Sequence, residues 1–184
     1  DPEFNLEDRL KSILTNSNDN SDENVFQDMF DQNNLSKLKD YESDITEIKN
    51  LVDQLIEKHP ENEDYYHENF NTFMKVLNEA VNANDGTAPE IIRNTKAFFN
   101  GLLNDEIGTN GRVDDPDFNL EERLNSISYN PNDNSNENVF QDLIDKNNLS
   151  KLKEYESDIE DIKKLVDQLI EKHPENEDYY HENY

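Results

Sequence analysis

Between Leu35 and His59 the apolar positions Leu38, Tyr41, Ile45, Ile48, Val52 and Leu55, ending on His59, are spaced alternately three and four residues apart. This is a heptad seam, and it predicts one long helix that Pro60 stops, because proline lacks the amide donor and clashes with the preceding turn. Leu51 and Ile56 widen the stripe, which favours a helix in a bundle over a narrow two-stranded coiled coil.

Other stretches carry the same periodicity. Asp1-Pro2-Glu3 reads as an N-cap, a first-turn proline and an acid at the positive end of a helix, with Leu6, Leu10 and Ile13 following at helical spacing. A polar loop from Asn16 to Ser21 precedes a short helix carrying Val25, Phe26, Met29 and Phe30. Beyond Pro60, the acids from Glu61 to Asp64 mark another helix start. Tyr66, Phe70, Phe73, Leu77 and Val81 form its stripe, and Asn84-Asp85-Gly86 ends it. Thr87 and Pro89 open a fifth helix through Ile91 or Ile92, Thr95, Phe98, Phe99, Leu102 and Leu103, which ends before Gly108. No stretch alternates as a strand would.

The pattern also recurs. Residues 1–70 align without a gap with residues 115–184, at an offset of 114, and 55 of the 70 positions are identical. The stretch 33–64 returns at 147–178 with four changes. Swaps such as Met29 to Leu143 and Phe30 to Ile144 keep apolar bulk. The predicted fold class is therefore all-α: a tandem-repeat helical bundle or short helical solenoid with about five helices per 114-residue unit. Residues 1–114 read as a complete unit. Residues 115–184 read as a partial second copy packed on the first, with Asn110-Gly111 as the linker and an array of such units as the expected parent protein.

Composition narrows the function classes. With 44 acids against 17 bases the net charge is -27, which excludes a nucleic-acid backbone as the expected partner, since that needs clustered Lys and Arg. The acids sit in the copies: 19 acids and 6 bases in 1–70, 19 and 7 in 115–184, but 6 and 4 in 71–114. The chain thus reads as a folded acidic repeat around a nearly neutral middle. No run is long and apolar enough for a membrane span. The opening Asp-Pro-Glu-Phe does not resemble a signal peptide and reads as the start of a mature fragment or an excised piece. The absence of cysteine excludes disulfides, thiol catalysis and Cys-ligated zinc.

Candidate chemistry is sparse. No phosphate-cradling Gly-rich loop, Gly-x-Ser-x-Gly elbow or His-Glu-x-x-His motif occurs, so neither enzymatic activity nor a cofactor is expected. Asn16, Asn18, Asn20 and Asp22 alternate oxygen side chains as the start of a calcium loop does. Ser21 and Gln27, however, stand where such a loop needs Gly and a bidentate Glu, and a solvated capping loop is the competing reading. His59 and His67, with their copies His173 and His181, lack a ligand spacing and read as helix-terminal residues. The adjacent pairs Tyr65-Tyr66 and Tyr179-Tyr180 are candidate binding residues, because neighbours on a helix point about 100° apart and one ring must face outward.

The expected function is that of a non-enzymatic acidic tandem-repeat binding or spacer module, secreted or at a cell surface, with a protein partner and with self-association through the heptad seams open. Two alternatives stand beside it: an acidic matrix or storage protein that holds divalent cations weakly, and a helical carrier of a small hydrophobic ligand.

Overall fold

A computed structural model describes residues 32–129 and 137–184. These residues are helical and carry no β-strand; one isolated antiparallel bridge joins Thr109 and Arg112. The helices are α1 (Gln32–Lys39), α2 (Glu42–Lys58), α3 (Glu63–Ala83), α4 (Ala88–Leu103), α5 (Leu120–Asn125), α6 (Gln141–Lys153), α7 (Glu156–Lys172) and α8 (Glu177–Glu182). Single 3-10 turns, Pro60–Asn62 and Pro174–Asn176, precede α3 and α8. No described helix is long and apolar enough to cross a membrane.

The long helix expected over 35–59 is two helices. The chain turns at Asp40-Tyr41, where the Tyr41 amide donates to Leu38 O at 3.0 Å and Tyr41 takes φ -108°, ψ 10°. Charge explains the position of the break. Lys37 and Lys39 end α1 while Glu42 and Asp44 start α2, so each side chain complements the partial charge of its own helix end. The heptad seam survives the turn, because Leu38 before it and Ile45, Ile48, Val52 and Leu55 after it all enter the core.

Helix ends follow their capping chemistry. Asn84, in the left-handed region at φ 50°, closes α3. Asp85 accepts hydrogen bonds from the Thr87 amide at 3.0 Å and the Thr87 hydroxyl at 2.6 Å, which fixes the entry to α4 and holds the Asp85 carboxyl below its ordinary pKa. The expected helix start at Asp115-Pro116 lies later. Asp115 instead caps a turn, accepting from the Asp117 amide, and Asn119 is the N-cap of α5, accepting from the Glu122 amide at 3.1 Å.

The chain divides into two compact units, residues 1–144 and 145–184. In the first, α2 lies against α4 and α3, and α3 also receives α5. Its core joins Leu38, Ile45, Ile48 and Leu55 to Phe70, Phe73 and Leu77 of α3 and to Phe98, Phe99 and Leu102 of α4. Residues of the second sequence copy complete this core. Phe98 stacks on Phe118 with centroids 5.6 Å apart and meets Phe140 at 5.0 Å, while Leu120, Leu124 and Leu143 are buried in the same cluster. The second unit opens at Asp145, inside α6, and consists of the rest of that helix, α7, its 3-10 turn and α8. No residue of α7 or α8 is buried.

Candidate functional site

The repeated sequence places the same side chains in two surroundings. In the first unit the face of α2 is occupied. Lys96 of α4 reaches back to it, with its ammonium 2.8 Å from Asp44 and 2.7 Å from Glu47. Burial pushes the Lys96 pKa down, but the two carboxylates outweigh that and leave it above the ordinary lysine value. At the other end Lys58 donates to the carbonyl of Leu103 at 3.0 Å, where the exposed C-terminal carbonyls of α4 lack helical partners.

Beyond Lys58, four side chains clasp the loop 110–113. Asn62 donates to the carbonyl of Asn110 at 2.8 Å and the Tyr66 hydroxyl donates to the carbonyl of Gly111 at 2.7 Å. The Tyr65 hydroxyl accepts from the Val113 amide at 3.3 Å, and the Arg112 guanidinium lies over its ring, 5.0 Å from the centroid. His59 closes the fourth side. Gly111 has φ +76°, and a Cβ there would collide with the Tyr66 hydroxyl and the His59 ring, so both the backbone and the space require glycine. Burial raises both tyrosine phenols above their ordinary pKa. Asn110-Gly111, read from the sequence as a linker, is thus a fixed part of the first unit.

In the second unit the equivalent face is open. Ile45, Ile48 and Leu55 are fully buried, whereas their counterparts Ile159, Ile162 and Leu169 are 40%, 51% and 43% exposed. Leu152, Tyr155 and Leu165 are exposed beside them. The histidine behaves alike: the side chain of His59 is 16% exposed and that of His173 44%. Tyr179 and Tyr180 keep the edge-to-face geometry of Tyr65 and Tyr66, with centroids 5.8 Å apart in both pairs. Yet Tyr179 is exposed and Tyr180 half-buried, while Tyr65 is half-buried and Tyr66 fully buried.

Comparison with known protein families, with curated proteins and with solved structures finds no match. The geometry alone therefore carries the functional reading.

Of the residues singled out from the sequence, Tyr65 and Tyr66 belong to the clasp and Tyr179 and Tyr180 to the open face. Asn16, Asn18, Asn20 and Asp22 lie outside the described residues. Among the described residues no group of three or more His, Asp or Glu side chains is arranged to hold a metal ion. A surface hollow of about 320 Å³ is lined by Lys37, Asp40, Tyr41, Ala80, Val81 and Ala88, among others. Sequence reasoning missed Asn62, Gly111 and Arg112. The glycine next to Asn110, in a loop with few other apolar residues, was the available signal, but nothing local names the helix that grips it.

Proposed function

We propose that this chain is a non-enzymatic, acidic tandem-repeat helical protein, a binding or spacer module at an exposed or secreted location, that engages a protein partner through the apolar face of α7. One observation carries the reading: Tyr155, which caps α7, and Ile159, Ile162, Leu165 and Leu169 along the helix are exposed together. Single exposed hydrophobics are ordinary on any surface, but a contiguous run rimmed by charge marks an interaction site. The tandem-repeat part of the proposal draws its support from the 55 identities between residues 1–70 and 115–184. Helix-in-groove recognition, with anchors three and four residues apart, suits such a face.

The absence of cysteine supplies a clean test. A single Ile162→Cys should react with a maleimide at close to the rate of an unstructured thiol, and a single Ile48→Cys about a hundredfold more slowly, because its labelling must wait for local opening of the core. Equal, slow reaction at both positions in a monomeric chain would remove the reading.

A further inference from the structure

We propose that the occupant of the α7 face is a further copy of the segment that covers its counterpart in the first unit, residues 71–144 of this same repeat. The proposal rests on the reading of that face as a binding surface and names its partner. In the first unit the cover consists of the later part of α3, α4 and the 110–113 loop, with Leu120, Leu124, Phe140 and Leu143 in the same core. The groups on α2, and those from His59 to Tyr66 just after it, that receive this cover have counterparts on α7 and from His173 to Tyr180.

The apolar contacts come first. Ile159, Ile162, Val166 and Leu169 repeat Ile45, Ile48, Val52 and Leu55 without a substitution. The four changes between 33–64 and 147–178 are Asp40 to Glu154, Thr46 to Glu160, Glu47 to Asp161 and Asn50 to Lys164, and none of the first-copy residues is buried. Next comes charge. Asp158 and Asp161 stand where Asp44 and Glu47 hold Lys96, although Asp161 also meets Lys164 at 3.4 Å. Lys172 stands where Lys58 meets the carbonyl end of α4. Last comes the clasp: His173, Asn176, Tyr179 and Tyr180 repeat the four side chains that grip 110–113.

Charge complementarity also argues against a second α7 as the occupant. The seventeen residues of α7 hold six acids and three bases, a net -3, so two such helices repel when paired. The sixteen residues of α4 hold one acid and two bases, a net +1. Nor can a second chain readily lend its own 71–144, because that segment is already engaged on its own α2.

The test extends the full chain at Tyr184 with an additional copy of residues 71–144 and follows a single Ile162→Cys by maleimide labelling. The extension should slow labelling about a hundredfold, to the rate of Ile48→Cys, and Phe98→Asp in the appended copy should restore fast labelling. Tyr184 replaces the fully buried Phe70, so the extension is also made with Tyr184→Phe, which removes a hydroxyl that would be buried. Fast labelling in both extended chains overturns the proposal and leaves the face a binding surface. Slow labelling in the unextended chain at twice the monomer mass makes the occupant a second copy of the chain, which also overturns it. Slow labelling in an unextended monomer instead removes the underlying reading.

Discussion

Helices α2 and α7 are each seventeen residues long and differ at three positions, yet one lies at the centre of a core and the other contributes no buried residue. Their local geometry is the same. Tyr41 and Tyr155 open them at φ -108° and -103°, and His59 and His173 close them at φ -134° in both cases. Local sequence therefore suffices to set where each helix starts, turns and stops. It does not set what covers the helix. That comes from residues 45 to 52 positions further on: Lys96 for Asp44, Asn110 for Asn62, Gly111 for Tyr66. A helix of this kind draws most of its stability from the packing of its apolar face. With Ile159, Ile162 and Leu169 each about half exposed, α7 forgoes on the order of 1 kcal/mol per side chain that α2 gains.

The contrast breaks first, if it breaks at all, on a charge placed at equivalent positions. Ile48→Asp buries an unpaired carboxylate in the first unit and should cost more than about 4 kcal/mol, enough to abolish its cooperative urea transition. Ile162→Asp puts the same group on an exposed face and should stay within about 0.5 kcal/mol of the parent chain. Circular dichroism of both variants decides the matter. A loss above about 2 kcal/mol at Ile162 would mean that α7 is covered after all.

The next largest effect probes which residues share the first core. Phe98 touches Phe99, Phe118 and Phe140, two of which belong to the second sequence copy. Phe98→Ala should cost about 3–5 kcal/mol, and amide exchange should quicken together in α4, in α5 and around Phe140. Fast exchange confined to residues before Asp115 would show that the 115–144 segment stands apart from this core.

At the clasp the comparison becomes sharper and the energies smaller. Gly111→Ala meets both a positive φ and two side chains, so a loss on the order of 2 kcal/mol is expected. Asn62→Ala removes the hydrogen bond to Asn110 and a longer one to the Tyr66 hydroxyl and should cost about 1 kcal/mol, while Asn176→Ala, on the open face, should cost nothing measurable. Equal thermal shifts for the two asparagine variants would contradict the difference in surroundings.

These residues also show how far the sequence could be read. The seam from Leu38 to Leu55 was legible because burial repeats with the helical period, and the stop at Pro60 and the turn at Asn84 because each has local chemistry. The break at Asp40-Tyr41 was not, since the seam runs through it in register; only the change from Lys37 and Lys39 to Glu42 and Asp44 marks it. The clasp was out of reach for a different reason. Asn62 and Asn110 are 48 residues apart, and no periodicity connects a side chain to a loop at that distance. The second stretch of matching sequence begins at Asp115, whereas the compact units part after Ile144, because the point at which a sequence begins to recur carries no information about which apolar faces meet.

The smallest expected effect concerns the tie within the 115–144 segment. Arg123 donates two hydrogen bonds to Asp142, at 2.6 and 2.8 Å, and a third to the carbonyl of Val139 at 2.8 Å. The hydrogen bonds from Arg123 hold the Asp142 carboxyl below its ordinary pKa. A carboxyl whose folded pKa is depressed stabilises the fold fully above its unfolded value, near pH 4, and loses that contribution as pH falls through the lower folded value. With the Asp142 side chain 60% exposed, solvent screening limits the contribution to about 0.5 kcal/mol. Thermal melts of the parent chain and Asp142→Asn should therefore differ slightly at pH 6 and converge by pH 3. The other 43 acids titrate over the same range, but they are common to both chains and cancel in the difference. A gap that persists unchanged at pH 3 would mean that Asp142 acts through shape and neutral hydrogen bonding, with no part for its charge.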